Sequence, residues 1–367
     1  MGYVAVSGGQ EAIGQVEELL RLLRSGGDSP PLEVNQIKEQ QRLAVDRVMG
    51  EGSLYSPTIA ALALKQSEGD SFEASLLVRA YRATQVRKYY SRTVDTSRMR
   101  IIRRISAAFQ DVPGGQILGP TRDYTQRLLD FSLLEDERTA VRDFLERIDR
   151  VPAKEKMPDA FPKVIDLLRK EGLLAEAGPD SGRLVDITRE SLVFPCPRSA
   201  KLQSLARAET GAMIALAYSS IRGYGDIHPY LGELRVGHVP VYIDPAGEDA
   251  PVCAGWVLVT EAEVIAQYAE GEKGENPRFT LGYGLCFGHN ELKAIAMAIL
   301  DRSTRSRAPD QAPAEDEEFV LYHTDGIESS GFVAHWKLPH YVTFQSAMDR
   351  LRKTQRLKEG SEDAGAV

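Results

Sequence analysis

An α+β fold is what this sequence predicts: a largely helical N-terminal region followed by a mixed α/β C-terminal domain with a small, mainly antiparallel sheet. Two observations carry that prediction. Apolar residues recur at helical spacing through residues 1 to about 130, and strand-like alternation appears only in the second half of the chain. The expected units are residues 1–132 (helical, with a basic run and a PGGQ loop), 133–183 (variable connector) and 184–303 (the α+β domain). An acidic mobile loop at 304–318 follows, then a strand, a turn and a closing helix over 319–360, and a disordered tail at 361–367.

The helices come first. IGQVEELLRLLRSGG carries Ile13, Val16, Leu19, Leu20 and Leu23 on one side and stops at Gly26-Gly27. VNQIKEQQRLAVDRVMGEG repeats the pattern through Val34, Ile37, Leu43, Val45 and Val48. SPTIAALALKQSEGD opens on a Ser-Pro cap, and SFEASLLVRAYRATQVRKYY is a fourth amphipathic segment. Residues 133–162 are charged and contain three prolines, as a connector with a helix inside it would be. FPKVIDLLRKEGLL predicts a short helix stopped by Gly172. SAKLQSLARAETGAMIALAYSSIRG predicts one long helix.

Strand-like alternation then appears in LGELRVGHVPVYID, VCAGWVLVTE and RFTLGYGLCFG. HNELKAIAMAILDR is a helix, RAPDQAPAEDEE lacks large apolar groups, EEFVLYHT reads as a last strand, and QSAMDRLRKTQRLKEG closes the chain as a helix.

Composition bounds the function. With 43% hydrophobic and 27% charged residues the chain suits a soluble globular protein, and no run of ~18 apolar residues offers a membrane span. The opening MGYVAVSGGQEAIGQ lacks the basic flank and apolar core of a signal peptide, so a cytoplasmic location is expected. Cys196, Cys253 and Cys286 are too scattered for a disulfide framework or a CxxC cluster. A net charge of −8 excludes a surface that coats nucleic acid. Within it, residues 79–104 hold nine Lys or Arg against one acid, Asp95. That run is a solvated helix face, a site for a polyanion such as a nucleotide triphosphate, or a surface for an acidic partner.

Four segments concentrate chemistry. DVPGGQILGPTRDYTQ places Gly114, Gly115 and Gln116 ahead of Arg122, which is expected at the start of a helix. Free N–H groups there favour phosphate oxygens, and Arg103-Arg104 lies just upstream. A plain turn is the competing reading, since the GK[ST] ending of a P-loop is absent. IRGYGDIHPYLGELR packs Arg222, Tyr224, Asp226, His228, Glu233 and Arg235 among glycines. RFTLGYGLCFGHNE ends in a strand-to-helix turn with His289 near the helix start. GFVAHWKLPHYVTF holds His335 and His340. In a straight strand five residues put these ~17 Å apart on opposite faces, and in a helix about 140° apart. A turn at Pro339 lets them approach, and His323, Asp325, water or another chain would have to complete a metal site; the competing reading is two histidines at a core edge, each bonded to a carbonyl. No GxSxG, HExxH or GxGxxG element is present.

Taken together, MGYVAVSGGQEAI, LAVDRVMGEG, RRISAAFQDVPGGQILGPTRDYTQRLLDF, IALAYSSIRGYGDIHP, FTLGYGLCFG and GFVAHWKLPHYVTF resemble the PhnI family, a subunit of the carbon–phosphorus lyase core complex. The resemblance runs from the first residues to about 355, interrupted mainly at 133–180 and 303–316. It implies a transferase subunit of bacterial phosphonate catabolism. With its partners, such a subunit replaces the purine of ATP or GTP at ribose C1′ by a phosphonate, giving α-D-ribose 1-methylphosphonate 5-triphosphate from methylphosphonate. Alone, it acts as a nucleosidase. The resemblance also implies PhnG, PhnH and PhnJ as partners, and a zinc ion at the PhnJ interface with His335 and His340 as ligands. The iron–sulfur radical step belongs to PhnJ.

The chemistry itself demands an acid for the leaving purine, a carboxylate near the oxocarbenium ion, and cations for the triphosphate. Asp226 or Glu233 is the expected carboxylate and His228 the acid. Arg103, Arg104, Gly114, Gly115, Gln116, Arg122 and Arg222 are the expected phosphate ligands. A non-catalytic scaffold binding zinc and partner subunits, and a stand-alone zinc hydrolase, are the competing classes.

Overall fold

The computed structural model describes residues 9–134, 138–148, 161–175, 184–222, 228–248, 250–269, 276–305 and 311–363. Five helices open the chain: α1 (Gly9–Ser25), α2 (Val34–Gln40), α3 (Arg42–Gly52), α4 (Pro57–Gln66) and α5 (Ser71–Thr84). Ser56 caps α4 by accepting the Ile59 N–H, with Pro57 in the first turn, where its missing N–H costs nothing. Asp70 caps α5 through the N–H groups of Phe72 and Glu73. Helices α2 to α5 bury Ile37, Val45, Val48, Met49, Ala60, Leu64, Ala74 and Val78 in one small core. α1 forms as expected but buries nothing, and its stripe of Ile13, Val16, Leu19, Leu20 and Leu23 is exposed.

The next element departs from expectation. RIIRRI forms strand β1 (Arg100–Ile105). Its arginines suggest a wet surface, yet Arg103 and Arg104 are fully buried. α6 (Arg138–Ile148) lies in the connector, and α7 (Ile165–Lys170) ends at Gly172, whose φ of 70° lies in the left-handed region. The single long helix expected after 199 is two, α8 (Arg198–Arg207) and α9 (Thr210–Arg222). Glu209 interrupts it because its carboxylate accepts the N–H groups of Gly211 and Ala212, restarting the helix.

Strands β2 (Tyr230–Ile243), β3 (Val252–Ala269) and β4 (Arg278–Phe287) join β1 in one antiparallel sheet of order β1-β2-β3-β4. α10 (Glu291–Ser303) lies across one face, followed by α11 (Glu317–His323), α12 (Gly326–Ala334) and α13 (Tyr341–Asp363). The strand expected at 317–324 is thus a helix. An apolar run this short is ambiguous in period. Asp316 decides it by capping the Phe319 N–H, with Glu317 and Glu318 in the first turn. Two smaller expectations also yield. Ala314, in the supposedly mobile loop, is buried and its carbonyl accepts the Ser303 hydroxyl at 2.8 Å. α13 also continues past the expected start of a tail at 361.

Alternation gives the sheet two unlike faces. Leu234, Ala262, Val264 and Cys286 face α8 to α11 and build the main core with Met213, Met297 and Leu300. Gly282 and Gly284 let β4 touch α10 backbone to backbone. A Cβ on either would lie 2.0 or 2.1 Å from the carbonyl oxygen of Ala298 or Ala294. Tyr283, between them, projects to the other face. There the strands carry Glu233, Arg235, Glu261 and Glu263, all buried.

Candidate functional site

That second face holds a charged cluster under a roof made by residues 161–165. Glu261 faces Arg235 across the β2–β3 register and pairs with its guanidinium. Its Oε1 accepts from Thr96 Oγ1 (2.8 Å), Lys163 Nζ (2.9 Å) and Tyr283 Oη (2.9 Å). Burial opposes its charge, but Arg235 and Lys163 outweigh it and hold the carboxyl at about 2. Glu263 is two residues away with the opposite balance. Lys163 reaches its Oε1 at 2.9 Å, Oε2 has no hydrogen-bond partner, and burial raises its pKa. Tyr283 is pushed up by burial and the adjacent Glu261, so its phenol keeps its proton. Two neighbouring carboxyls driven apart in this way resemble the split that acid–base pairs need. Sequence reasoning passed over Lys163, Glu261, Glu263 and Tyr283. The signal was available in E-x-R at 233–235 and E-x-E at 261–263, charges alternating with core residues inside strands.

Arg103 and Arg104 do not lie free for phosphate. Arg104 donates to Glu233, to the carbonyls of Pro113 (2.7 Å) and Gly115 (3.0 Å), and to that of Pro162 (2.6 Å). Arg103 is paired with Asp123 and donates to the Leu118 carbonyl; its Nε lies 2.8 Å from Glu291, misaligned for a hydrogen bond. The PGGQ segment is a turn pinned to β1. The N–H of Gly115 donates to Val112 O, Arg104 and Ile117 exchange backbone hydrogen bonds, and Gln116 accepts the Ser106 N–H. Gly114 and Gly115 supply φ values of 83° and 81°, which other residues rarely adopt. No helix begins at Arg122; it opens a turn closed by the Thr125 N–H, and its side chain is exposed.

Of the remaining candidates, Arg222 ends α9 on the surface and Asp226 lies outside the described residues. His228 is exposed just before β2, its ring 5.0 Å from that of Tyr230. Glu233 sits deep on the charged face, 2% exposed, with Arg104 on Oε1 and the Val164 N–H on Oε2 at 3.2 Å. The structure therefore joins Glu233 to Arg104 and leaves His228 outside, at the end of the strand.

The two histidines converge. α12 ends at Ala334, a single 3₁₀ turn covers His335–Lys337, Leu338 is extended before Pro339, and α13 starts at Tyr341. The rings stand 5.4 Å apart between centroids, with Trp336 stacked on His340. Each Nδ1 lies against a backbone carbonyl, Phe332 O for His335 and Leu338 O for His340, so Nε2 is the ring nitrogen each could offer to a metal. Two imidazoles bound tetrahedrally to one zinc at ~2.0–2.1 Å would have centroids about 5 Å apart, so the pair fits. His323 and Asp325 do not complete it. His323 Nδ1 turns to the Phe319 carbonyl, Asp325 is held by Arg79, and no group of three potential ligands exists among the described residues. A metal held by this pair would need its further ligands from outside the described residues.

Comparison with known proteins identifies the family of the chain as a whole. The profile of the family described as bacterial phosphonate metabolism protein (PhnI) matches residues 2–358. The chain belongs to the PhnI family. A putative C-P lyase subunit protein HtxH of Stutzerimonas stutzeri is 53% identical over 97% of this chain and 96% of its own length. Proteins named alpha-D-ribose 1-methylphosphonate 5-triphosphate synthase subunit PhnI are similar in Escherichia coli (47% identical, 96% of this chain, 98% of that one) and Rhizobium meliloti (43%, 99% and 97%). This PhnI-family chain has no described helix long and apolar enough to cross a membrane. Its buried Cys286 and half-buried Cys196 thiols are raised to about 12 by burial, which makes both poor nucleophiles at neutral pH.

Proposed function

We propose that the chain is the subunit of a phosphonate-processing complex that exchanges the purine of ATP or GTP for a phosphonate at ribose C1′. The C1′–N9 bond breaks, a phosphonate oxygen bonds to C1′, and the purine leaves with a proton. The product from methylphosphonate is α-D-ribose 1-methylphosphonate 5-triphosphate; with water in place of phosphonate, the same chain acts as a nucleosidase. The full-length family match, with relatives named as subunits of that synthase, is the observation that carries this reading.

Within this proposal the end of β2 supplies the reacting groups. His228 protonates the base, and Asp226 or Glu233 stabilises the ribosyl cation. His228 is open to a ligand, whereas Glu233 is enclosed with Arg104. Arg122 and Arg222 are exposed cations suited to phosphate, whereas four of the five N–H bonds of Arg104 already serve the PGGQ turn, Pro162 and Glu233. His335 and His340 would hold zinc, which supplies a Lewis-acidic positive charge when bound. PhnG, PhnH and PhnJ are the proposed partners, with PhnJ meeting the zinc pair. Supporting this surface, Phe332, Val333, Trp336, Leu338, Tyr341, Val342 and Phe344 are all exposed around it.

The same apolar faces favour a second reading, a scaffold without chemistry. One experiment separates them. The purified chain is incubated with GTP and free guanine is quantified; release supports the first reading and none supports the second. His335→Ala in the co-purified complex is expected to lower its zinc content while guanine release by the chain persists. Loss of guanine release with zinc retained would defeat that division of labour.

A further inference from the structure

The basic run feeds a second place in the fold. Between α3, α5, α8 and the free edge of β4 lies a cavity of about 260 Å³, walled by Ile187, Ala206, Val259, Leu285 and Phe287. Among the described residues its only charged lining side chains are Arg82 and Arg207. A second hollow of about 380 Å³ shares Arg82 and Thr188 with the first and adds Arg87 and Arg189. An apolar chamber thus opens onto a basic one.

The charges here do not balance. Arg79 grips Asp325 at 2.9 Å with one nitrogen on both oxygens, and Arg207 reaches the same carboxylate at 3.4 Å. Arg87 pairs with Asp186, and Arg189 stands 4.0 Å from that same group. The guanidinium of Arg82 makes no ion pair or hydrogen bond among the described residues, although it is half-buried. Burial, with Arg79 and Arg207 beside it, pushes its pKa down. Asp186 attracts this cation only from a distance, and a phosphate would give its guanidinium the direct partner it lacks among the described residues. Arginine forks match phosphate oxygens in pairs, and the apolar chamber is near the lower end of the ~300–1,000 Å³ typical of small-ligand pockets.

We propose that the two hollows form the binding site of a purine nucleotide, with base and ribose in the apolar chamber and phosphates against Arg82, Arg87 and Arg189. The inference rests on the preceding reading for the identity of the ligand as a nucleotide. This nucleotide site is separate from the reacting groups at the start of β2: Val259 in its wall lies six residues along β3 from Ile265, the partner of Tyr230.

The test uses the full chain, co-purified with its partners if these are needed for solubility. GTP affinity is measured by calorimetry, guanine release by chromatography, and the melting temperature without ligand. Arg82→Gln and, on the exposed loop, Arg189→Gln are expected to weaken GTP binding at least tenfold. Arg82→Gln should also leave the unliganded melting temperature unchanged or raise it, because a residue held for a ligand contributes no stability without it. Wild-type affinity in both variants, with guanine still released, would overturn the site and leave the functional reading standing. Absence of both GTP binding and guanine release in the wild type would overturn both. Variants that keep wild-type GTP affinity but shed a co-purifying partner would show an acidic protein segment to be the occupant, and the nucleotide site would be wrong.

Discussion

Arg104 and Arg82 come from one basic stretch, yet they end in opposite circumstances. Arg104 is wholly enclosed and four of its N–H bonds are answered, by a carboxylate and three carbonyls. Arg82 is half-buried near Arg79 and Arg207, and no described residue gives its guanidinium a hydrogen bond or an ion pair. The contrast teaches how to divide a cluster of cations. A buried arginine with its donors satisfied belongs to the architecture, and one left unsatisfied beside like charges is a candidate for a ligand. Sequence position does not make that division; partner accounting does.

The comparison breaks first at its enclosed end. Arg104→Ala would leave the buried Glu233 without its ion-pair partner and release the PGGQ turn, and is expected to destabilise the fold by about 3–5 kcal/mol in chemical unfolding. A change below ~1 kcal/mol would mean that Arg104 is not the pin described here.

The next effect concerns the acids on the same face, and it has a sign in pH. Glu261 is held near 2, below the ordinary carboxylate range. Its stabilisation is therefore complete at neutral pH and lost as pH falls through that range toward 2. Glu261→Gln should cost roughly 3 kcal/mol at pH 7 and flatten the acid limb of the stability curve. Glu263 has the opposite sign. Its raised pKa means that folding favours its protonated form, so stability declines as pH rises from the ordinary carboxylate value through the folded one. Glu263→Gln should remove that decline and leave stability at pH 7 equal or higher. A loss at pH 7 as large as that of Glu261→Gln would show the two carboxylates to be equivalent.

The smallest effect is expected at the surface. Arg92 also belongs to the basic run and pairs with Asp244, but both side chains are more than half exposed. Arg92→Ala should leave the melting temperature unchanged, since such pairs give up little. A measurable drop would mean that the basic run stabilises the chain even where it is wet.

What the sequence made legible follows from the same physics. Helices α2 to α5 and strands β2 to β4 announce themselves because each buries one apolar face and leaves the period visible. β1 stayed hidden because RIIRRI buries cations, and burial of charge through internal partners leaves no hydropathy signature. The break at Glu209 and the helix at Glu317 turn on single capping carboxylates, a signal that is local and easily outweighed by a longer apolar pattern. The histidine pair was legible as a turn because Pro339 restricts its neighbour. The charged cluster was not, since Lys163 reaches it from a loop far from β3 in sequence.

The Gly-Tyr-Gly triplet at 282–284 joins two of these features. Its glycines bring α10 onto the strand, and the ring between them delivers its phenol to Glu261 on the opposite side. A change that lengthened or shifted the triplet by one residue would lift the helix and withdraw the phenol together. Inheritance should therefore treat the hydrophobic layer and the acidic layer as a single trait, altered jointly or not at all.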